Sequence, residues 1–418
     1  MRKPFSVLLA AAVLALPYRA MADEMPSRPA TQPATQPATQ PIKSKELSAK
    51  VKSGLDWLIK TQLNDGGWGQ GDESQNMGSG MANLKAVSNV ADTCMAVQAL
   101  MRAGGTPKNG DYAANLRRAI DFICGKVETA DEQSLFVTDV RGTRVQSKIG
   151  TYVDTFLAAQ VLSDVKGNMQ DEPTNARVAA ALTKTIKKIE ANQQKDGGFA
   201  QAGWAPTLSE GIAAKALNQA AARGEDVQDS TLQKLDDRAS KDYDAKTGTV
   251  AGGGSAGVEL YARAANSSSF ANSKGRLEQR QQALQDKLAA PTTKPEEVQK
   301  AKDELAQVDG QLKLGEQAVN GAFARMNDKD FVNGFGSNGG EEFLSYLNIG
   351  EAMVIHGDAK FSEWDSKMTE NLVRVQNDDG SWSGHHCITG KTFCTSAALM
   401  VLMVDRTTTP VMDAVKKR

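Results

Sequence analysis

The chain has 418 residues, of which 40% are hydrophobic and 24% charged, and its 49 basic and 50 acidic side chains leave a formal net charge of −1. That balance gives no electrostatic argument for nucleic acid or for an acidic membrane surface as partner. The length would suit two domains, although closed helical rings run larger than an average domain.

In chain order, residues 1–22 read as a secretory signal peptide. Arg2 and Lys3 precede an apolar run from Phe5 to Leu16, and Ala20-Met21-Ala22 forms a small-x-small cleavage site. The expectation is export to a periplasm or the medium, with no stable membrane span after cleavage, because the apolar run is short. Residues 23–44 contain the repeat PSRPATQPATQPATQP, which has nothing to bury and reads as an extended spacer.

From residue 45 onward the pattern predicts helix pairs at about 45–62 and 91–103, 112–126 and 150–165, and 175–193 and 207–223. Further pairs follow at 228–241 and 255–266, 312–326 and 340–355, and 361–376 and 391–404. Residues 270–311 interrupt this series between its first part, 45–269, and its last, 312–406. There Val298, Ala301, Leu305, Val308 and Leu312 keep a 3-4 spacing and Pro291 and Pro295 mark a reversal, so the insert reads as an antiparallel helical hairpin of coiled-coil type. A tail at 407–418 completes the chain.

Three of these pairs carry one spaced pattern, Gln-x-x-x-Gly-x-Trp/Phe: Gln62 to Trp68, Gln193 to Phe199 and Gln376 to Trp382. At this composition roughly 0.1 chance matches are expected, so the three copies mean internal repetition. Each Gly ends a helix, the Gln amide bonds free backbone groups, and the aromatic ring covers apolar surface between hairpins. The pattern resembles the QW repeat of the terpenoid cyclase and protein prenyltransferase superfamily. That resemblance implies an all-α fold, an α6/α6 toroid of six helical hairpins around an apolar cavity.

Candidate site residues fall in three groups. Asp92, Asp154, Glu210, Glu259, Glu341 and Glu342 stand at or near the start of the second helix of a pair. There an acid either caps free amides and offsets the helix dipole or, gathered in a ring at a cavity mouth, binds a cation or serves as general acid or base. Asp92, Asp154, Glu210 and Glu342 are the catalytic candidates. Arg141, Arg144 and Lys148 precede a helix and form a weak anion-binding candidate, with an ordinary solvated loop as the alternative.

The third group is GHHCITGKTFC. An exported chain is expected to oxidise its cysteines, pairing Cys387 with Cys394 and Cys94 with Cys124, or Cys94 with Cys394. The alternative is zinc on Asp92, Cys94, His385 and His386. The resemblance supports only part of this set: prenyltransferases hold zinc with an Asp-x-Cys pair and a His, and Asp92 and Cys94 match the pair while neither histidine fits the family's His pattern. No cofactor is favoured, with zinc the one to test.

The Asp-x-Asp-Asp motif of class II cyclases, the Asp-Asp-x-x-Asp motif of class I synthases and the complement-type thioester motif are all missing from the sequence. The expected function is therefore a noncatalytic scaffold that binds an apolar ligand or a protein partner. The alternative is an enzyme acting on an isoprenoid or glycan through acids at the cavity mouth. The lining of the cavity discriminates between them: fill by Met353, Met400 and Met403 favours the scaffold, and strongly perturbed acids in a dry pocket favour the enzyme.

Overall fold

The computed structural model describes residues 43–73, 82–291, 294–326, 328 and 339–408. The signal peptide, most of the spacer and most of the tail lie outside the described residues. Within them the chain is all-α apart from a short hairpin, β1 (Tyr243–Asp244) against β2 (Thr249–Val250).

The helices fall into two kinds by burial. α2 (Val90–Arg102), α5 (Val153–Val165), α7 (Thr207–Ala222), α11 (Gly340–His356) and α13 (Lys391–Leu402) are buried on all sides over most of their length. In α5 every residue except Asp164 is buried. α1 (Ala49–Thr61), α3 (Ala113–Thr129), α6 (Glu172–Asn192), α8 (Asp229–Asp242) and α12 (Phe361–Arg374) each bury one stripe. In α12 that stripe is Phe361, Trp364, Met368 and Leu372, the 3-4 spacing of a helix with one face to water. A six-residue helix, α4 (Arg144–Ile149), precedes α5 and starts with a capping box between Thr143 and Gln146.

The buried helices pack in a fixed order. α2 lies on α5, α5 on α7, α7 on α9 (Glu259–Ala289), α9 on α11 and α11 on α13, and α13 returns to α2. The striped helices cover them: α1 packs on α13 and α2, α3 on α2, α6 on α5, α8 on α9 and α12 on α13.

The repeated turns are alike atom for atom. Gln62 Nε2 donates to Gly66 O (2.8 Å) and to Asn115 O on α3 (2.9 Å), and Gln193 Nε2 to Gly197 O (3.3 Å) and Thr231 O on α8 (3.1 Å). Gln376 Nε2 donates to Gly380 O (2.8 Å) and to Lys50 O on α1 (3.0 Å), which ties the last pair to the first. Gly66, Gly197 and Gly380 sit at φ of 90°, 85° and 89°. A Cβ on Gly66 would fall 2.4 Å from Arg118 O, on Gly197 2.3 Å from Lys234 O, and on Gly380 2.7 Å from Ser53 O. The motif glycine is thus required twice, by its backbone conformation and by the next striped helix lying against it.

Trp68 and Trp382 are fully buried, and each donates its indole N–H to a carbonyl ten residues earlier, Leu58 O and Leu372 O, at 2.9 Å. Phe199 has no such donor and packs on Phe156 instead, with ring centroids 4.8 Å apart.

The insert differs from the expected segment at 270–311. α9 and α10 (Pro295–Arg325) are 31 residues each and run unbroken through both expected boundaries. Phe270 packs with Ala239, Tyr243 and Ala318, and Arg276 Nε donates to Asn218 Oδ1 at 3.0 Å, so the base of the hairpin belongs to the body of the protein. Farther out, Leu277, Leu284, Ala301 and Val308 form a small core of their own. Among the described residues no helix is long and apolar enough to cross a membrane.

Candidate functional site

Most of the acids at the helix starts turn out to hold the structure. Asp154 Oδ1 accepts from the Ala91 amide in the first turn of α2 (3.0 Å) and Oδ2 from Gln146 Nε2 (2.8 Å). Asp92 Oδ2 accepts from Asn89 Nδ2 (2.7 Å), while its other oxygen is buried without a partner. Burial drives the Asp92 carboxyl up to about 7, against the Asn89 hydrogen bond and with the nearby Asp154 charge adding to the rise. Glu210 is bound by Arg238 (2.9 Å), and Glu259 pairs with Arg263 (2.6 Å) and Arg325 (3.0 Å). Glu342 accepts from the Tyr346 hydroxyl at 3.4 Å.

The three basic candidates have separate partners. Arg141 stacks on Phe136, 3.6 Å from the ring centroid. Arg144 pairs with Glu73 (3.2 Å), and its amide donates to Gln70 Oε1 (2.7 Å). Lys148 lies over Trp204, 5.4 Å from the centroid, and is near enough for its charge to act on Glu341, His386 and Cys387.

All four cysteines are buried free thiols, so none of the expected disulfides is formed. Cys394 Sγ donates to Ile388 O (3.3 Å), turned into its own loop. Cys387 Sγ lies 3.0 Å from His386 Nδ1. Among the described residues the zinc set expected from sequence does not gather as a group of ligand atoms, and Asp92 is held by Asn89 while Cys94 is fully buried in the core.

A different set comes together. One ligand atom each from Glu341, His386 and Cys387 lies within 4.8 Å of the other two. Glu341 stands in the first turn of α11, and the other two belong to the loop before α13. Two reciprocal bonds dock that loop: the Gly340 amide donates to Ile388 O (2.8 Å) and the Ile388 amide to Glu341 Oε2 (3.1 Å). The approach needs Gly339, since a Cβ there would fall 2.3 Å from His386 O. Cys387 has a φ of 63°, a conformation that non-glycine residues pay for with strain, and it turns the thiol of one residue and the imidazole of the preceding one toward the same point.

The electrostatics suit a cation. Glu341 Oε1 is buried without a hydrogen-bond partner. Burial raises the Glu341 carboxyl, opposed by the Ile388 amide and the Cys387 thiol. Burial and the Glu341 charge push the Cys387 thiol up to about 11, and burial lowers the His386 imidazole, which keeps it neutral. Neutral imidazole is the ligand form, and a bound metal ion reverses the penalty on the carboxylate and the thiolate. Nitrogen, oxygen and sulfur donors together match zinc better than magnesium or calcium.

Of these three residues, sequence reasoning singled out His386 as a ligand, read Cys387 first as half of a disulfide, and left Glu341 among the acids that either cap a helix start or act at a cavity mouth. No motif joins Glu341 to a loop 45 residues later; the nearest clue is the glycines at 339, 340 and 384 that let the two backbones touch. Sequence reasoning also missed the charged residues at the opposite, carboxyl-terminal ends of the buried helices, Arg102, Lys215 and Glu351. In comparisons with known proteins, no family model matches this chain and no curated sequence is similar to it.

Proposed function

We propose that this chain is an exported binding scaffold, an α/α toroid of the cyclase and prenyltransferase repeat type, with a zinc centre on Glu341, His386 and Cys387. The observation that carries the reading is the convergence of those three ligand atoms within 4.8 Å. The toroid is supported by the cyclic packing order of the buried helices and by the hydrogen bond from Gln376 back to Lys50.

The scaffold is favoured over an isoprenoid enzyme by the state of the interior. α2, α5, α7, α11 and α13 are inaccessible on every side along most of their length, with Tyr261, Tyr346, Phe343 and Phe156 among the largest fully buried side chains. Met353, Met400 and Met403 lie in the same core. A chain of isoprene units would need that volume.

A second reading, a zinc-dependent enzyme, is favoured by the number of ligands. Structural zinc sites usually have four protein ligands, and catalytic ones three, with the fourth position left to water or substrate. In that reading the zinc ion would activate a bound water or polarise a substrate, while Glu341 and Lys148 set the charge around it.

Elemental and lipid analysis of the purified full chain tests the reading. About one zinc per chain is expected, lost in Glu341→Gln and in Cys387→Ser and retained in Asp92→Asn and Cys94→Ser. Protein that binds no zinc, or that carries a stoichiometric isoprenoid, contradicts it.

A further inference from the structure

At the carboxyl-terminal ends of the buried helices the packing opens into a cavity of about 260 Å³. It lies at the opposite helix ends from Glu341 and depends on none of the residues of the zinc centre. At about 30 Å³ per water it holds about nine waters, or one molecule of monosaccharide size.

Charge enters the cavity from five segments. Glu351 on α11 is bound by Arg102 of α2 (2.5 Å) and Lys215 of α7 (2.6 Å), which ties together three helices that are not consecutive in the packing order. Burial would raise the Glu351 carboxyl, but the two cations outweigh it and hold the group at about 2, so it stays an anion. Asp164 pairs with Arg223 at 2.5 Å. Arg406, beyond α13, lines the same space and donates to the Lys45 carbonyl at 2.6 Å. Four cations thus face two carboxylates, and the excess of positive charge selects an anion.

The neutral groups select what carries the charge. Gln98 Nε2, Gln219 Oε1, Asn272 Oδ1 and Thr407 Oγ1, from four separate segments that line the cavity, are buried without hydrogen-bond partners. Gln160 adds a fifth neutral polar side chain, and Met101 and Ile355 are the apolar contributors. One unpaired amide donor, two unpaired acceptors and a hydroxyl are a poor environment for an apolar ligand and a good one for several hydroxyls. A bare inorganic anion would leave most of the volume and these groups unused.

We propose that this cavity binds a small anionic polyol of monosaccharide size, its acid group on the Arg102, Lys215 and Arg406 side and its hydroxyls on the side-chain amides. The acid is a carboxylate, as in a sugar acid, or a phosphate, as in a sugar phosphate.

Titration calorimetry on the full chain with glucuronate, glucose 6-phosphate, glucose and inorganic phosphate tests this. One anionic sugar is expected to bind at a single site with a Kd at or below about 1 mM, at least about tenfold tighter than glucose or inorganic phosphate. Which of the two binds identifies the acid group. Gln98→Leu and Gln219→Leu should each weaken that binding about tenfold or more while leaving the thermal midpoint of the unliganded protein unchanged or higher, since each removes a buried unpaired group. Failure of both anionic sugars to bind overturns the proposal. So does equal binding of glucose or of inorganic phosphate, or binding that survives both substitutions.

Discussion

Where the last helix pair meets the first, a seven-residue turn does the joining, and where α9 meets α10 two 31-residue helices pack along their length with no such turn. At the first junction Gln376, Gly380 and Trp382 each have a named partner on α1 or α12: the Lys50 carbonyl, the Ser53 backbone and the Leu372 carbonyl. At the second, apolar side chains meet over many turns and the outer part has its own small core. The difference teaches that the turn adds a few fixed atoms to the packing of α13 on α2 and α1, whereas the hairpin attaches through many interchangeable contacts alone. Single substitutions should therefore hurt the first far more than the second.

Trp382→Ala should have the largest effect, about 3–5 kcal/mol in denaturant unfolding, because the ring is fully buried and its N–H is bonded. A loss under about 1 kcal/mol would show that the ring does not anchor the junction. Gly380→Ala forces a Cβ against Ser53 at a φ of 89° and should cost about 1–3 kcal/mol. Gln376→Ala removes the donor shared by the Gly380 and Lys50 carbonyls, which water can in part replace, and a loss of about 0.5–1.5 kcal/mol is expected.

Asp92 sharpens the comparison at the helix starts. Its folded-state pKa is raised from 3.8 to about 7, so the folded protein holds a proton that the unfolded chain releases. The stability this confers is greatest at acid pH and is lost as the pH rises from about 4 through about 7. Urea midpoints across that range should fall more steeply in the wild type than in Asp92→Asn. Parallel profiles would mean that Asp92 ionises normally.

The smallest effect should come from the hairpin. Removing residues 279–306 and joining the helices with a short Gly-Ser turn keeps Phe270, Arg276 and Gly315 in place, and stability should change by less than about 1 kcal/mol with unfolding still cooperative. Loss of cooperativity would show that the outer hairpin supports the body.

The helix pairs were legible in the sequence because burial on one stripe or on all sides leaves a periodic trace, and the three turns because Gly66, Gly197 and Gly380 satisfy a local and a packing demand at once. The boundaries at 270 and 311 were not legible: change of composition marks where a helix leaves the body, while the backbone of α9 continues through it. The site was legible only in fragments. His386 and Cys387 stand out in GHHCITGKTFC, but their third partner is fixed by the contact between Gly340 and Ile388, which depends on how two distant segments pack. The Arg102–Glu351–Lys215 cluster is scattered over 250 residues and has no local pattern at all.

The proposed zinc centre is tested most directly by loading the metal-free protein with cobalt(II) and recording its absorption spectrum. We expect a thiolate-to-cobalt charge-transfer band that saturates at about one equivalent, disappears in Cys387→Ser and persists in Cys94→Ser. A band that survives Cys387→Ser and is lost in Cys94→Ser, or no band in the wild type, would contradict the assignment of Glu341, His386 and Cys387.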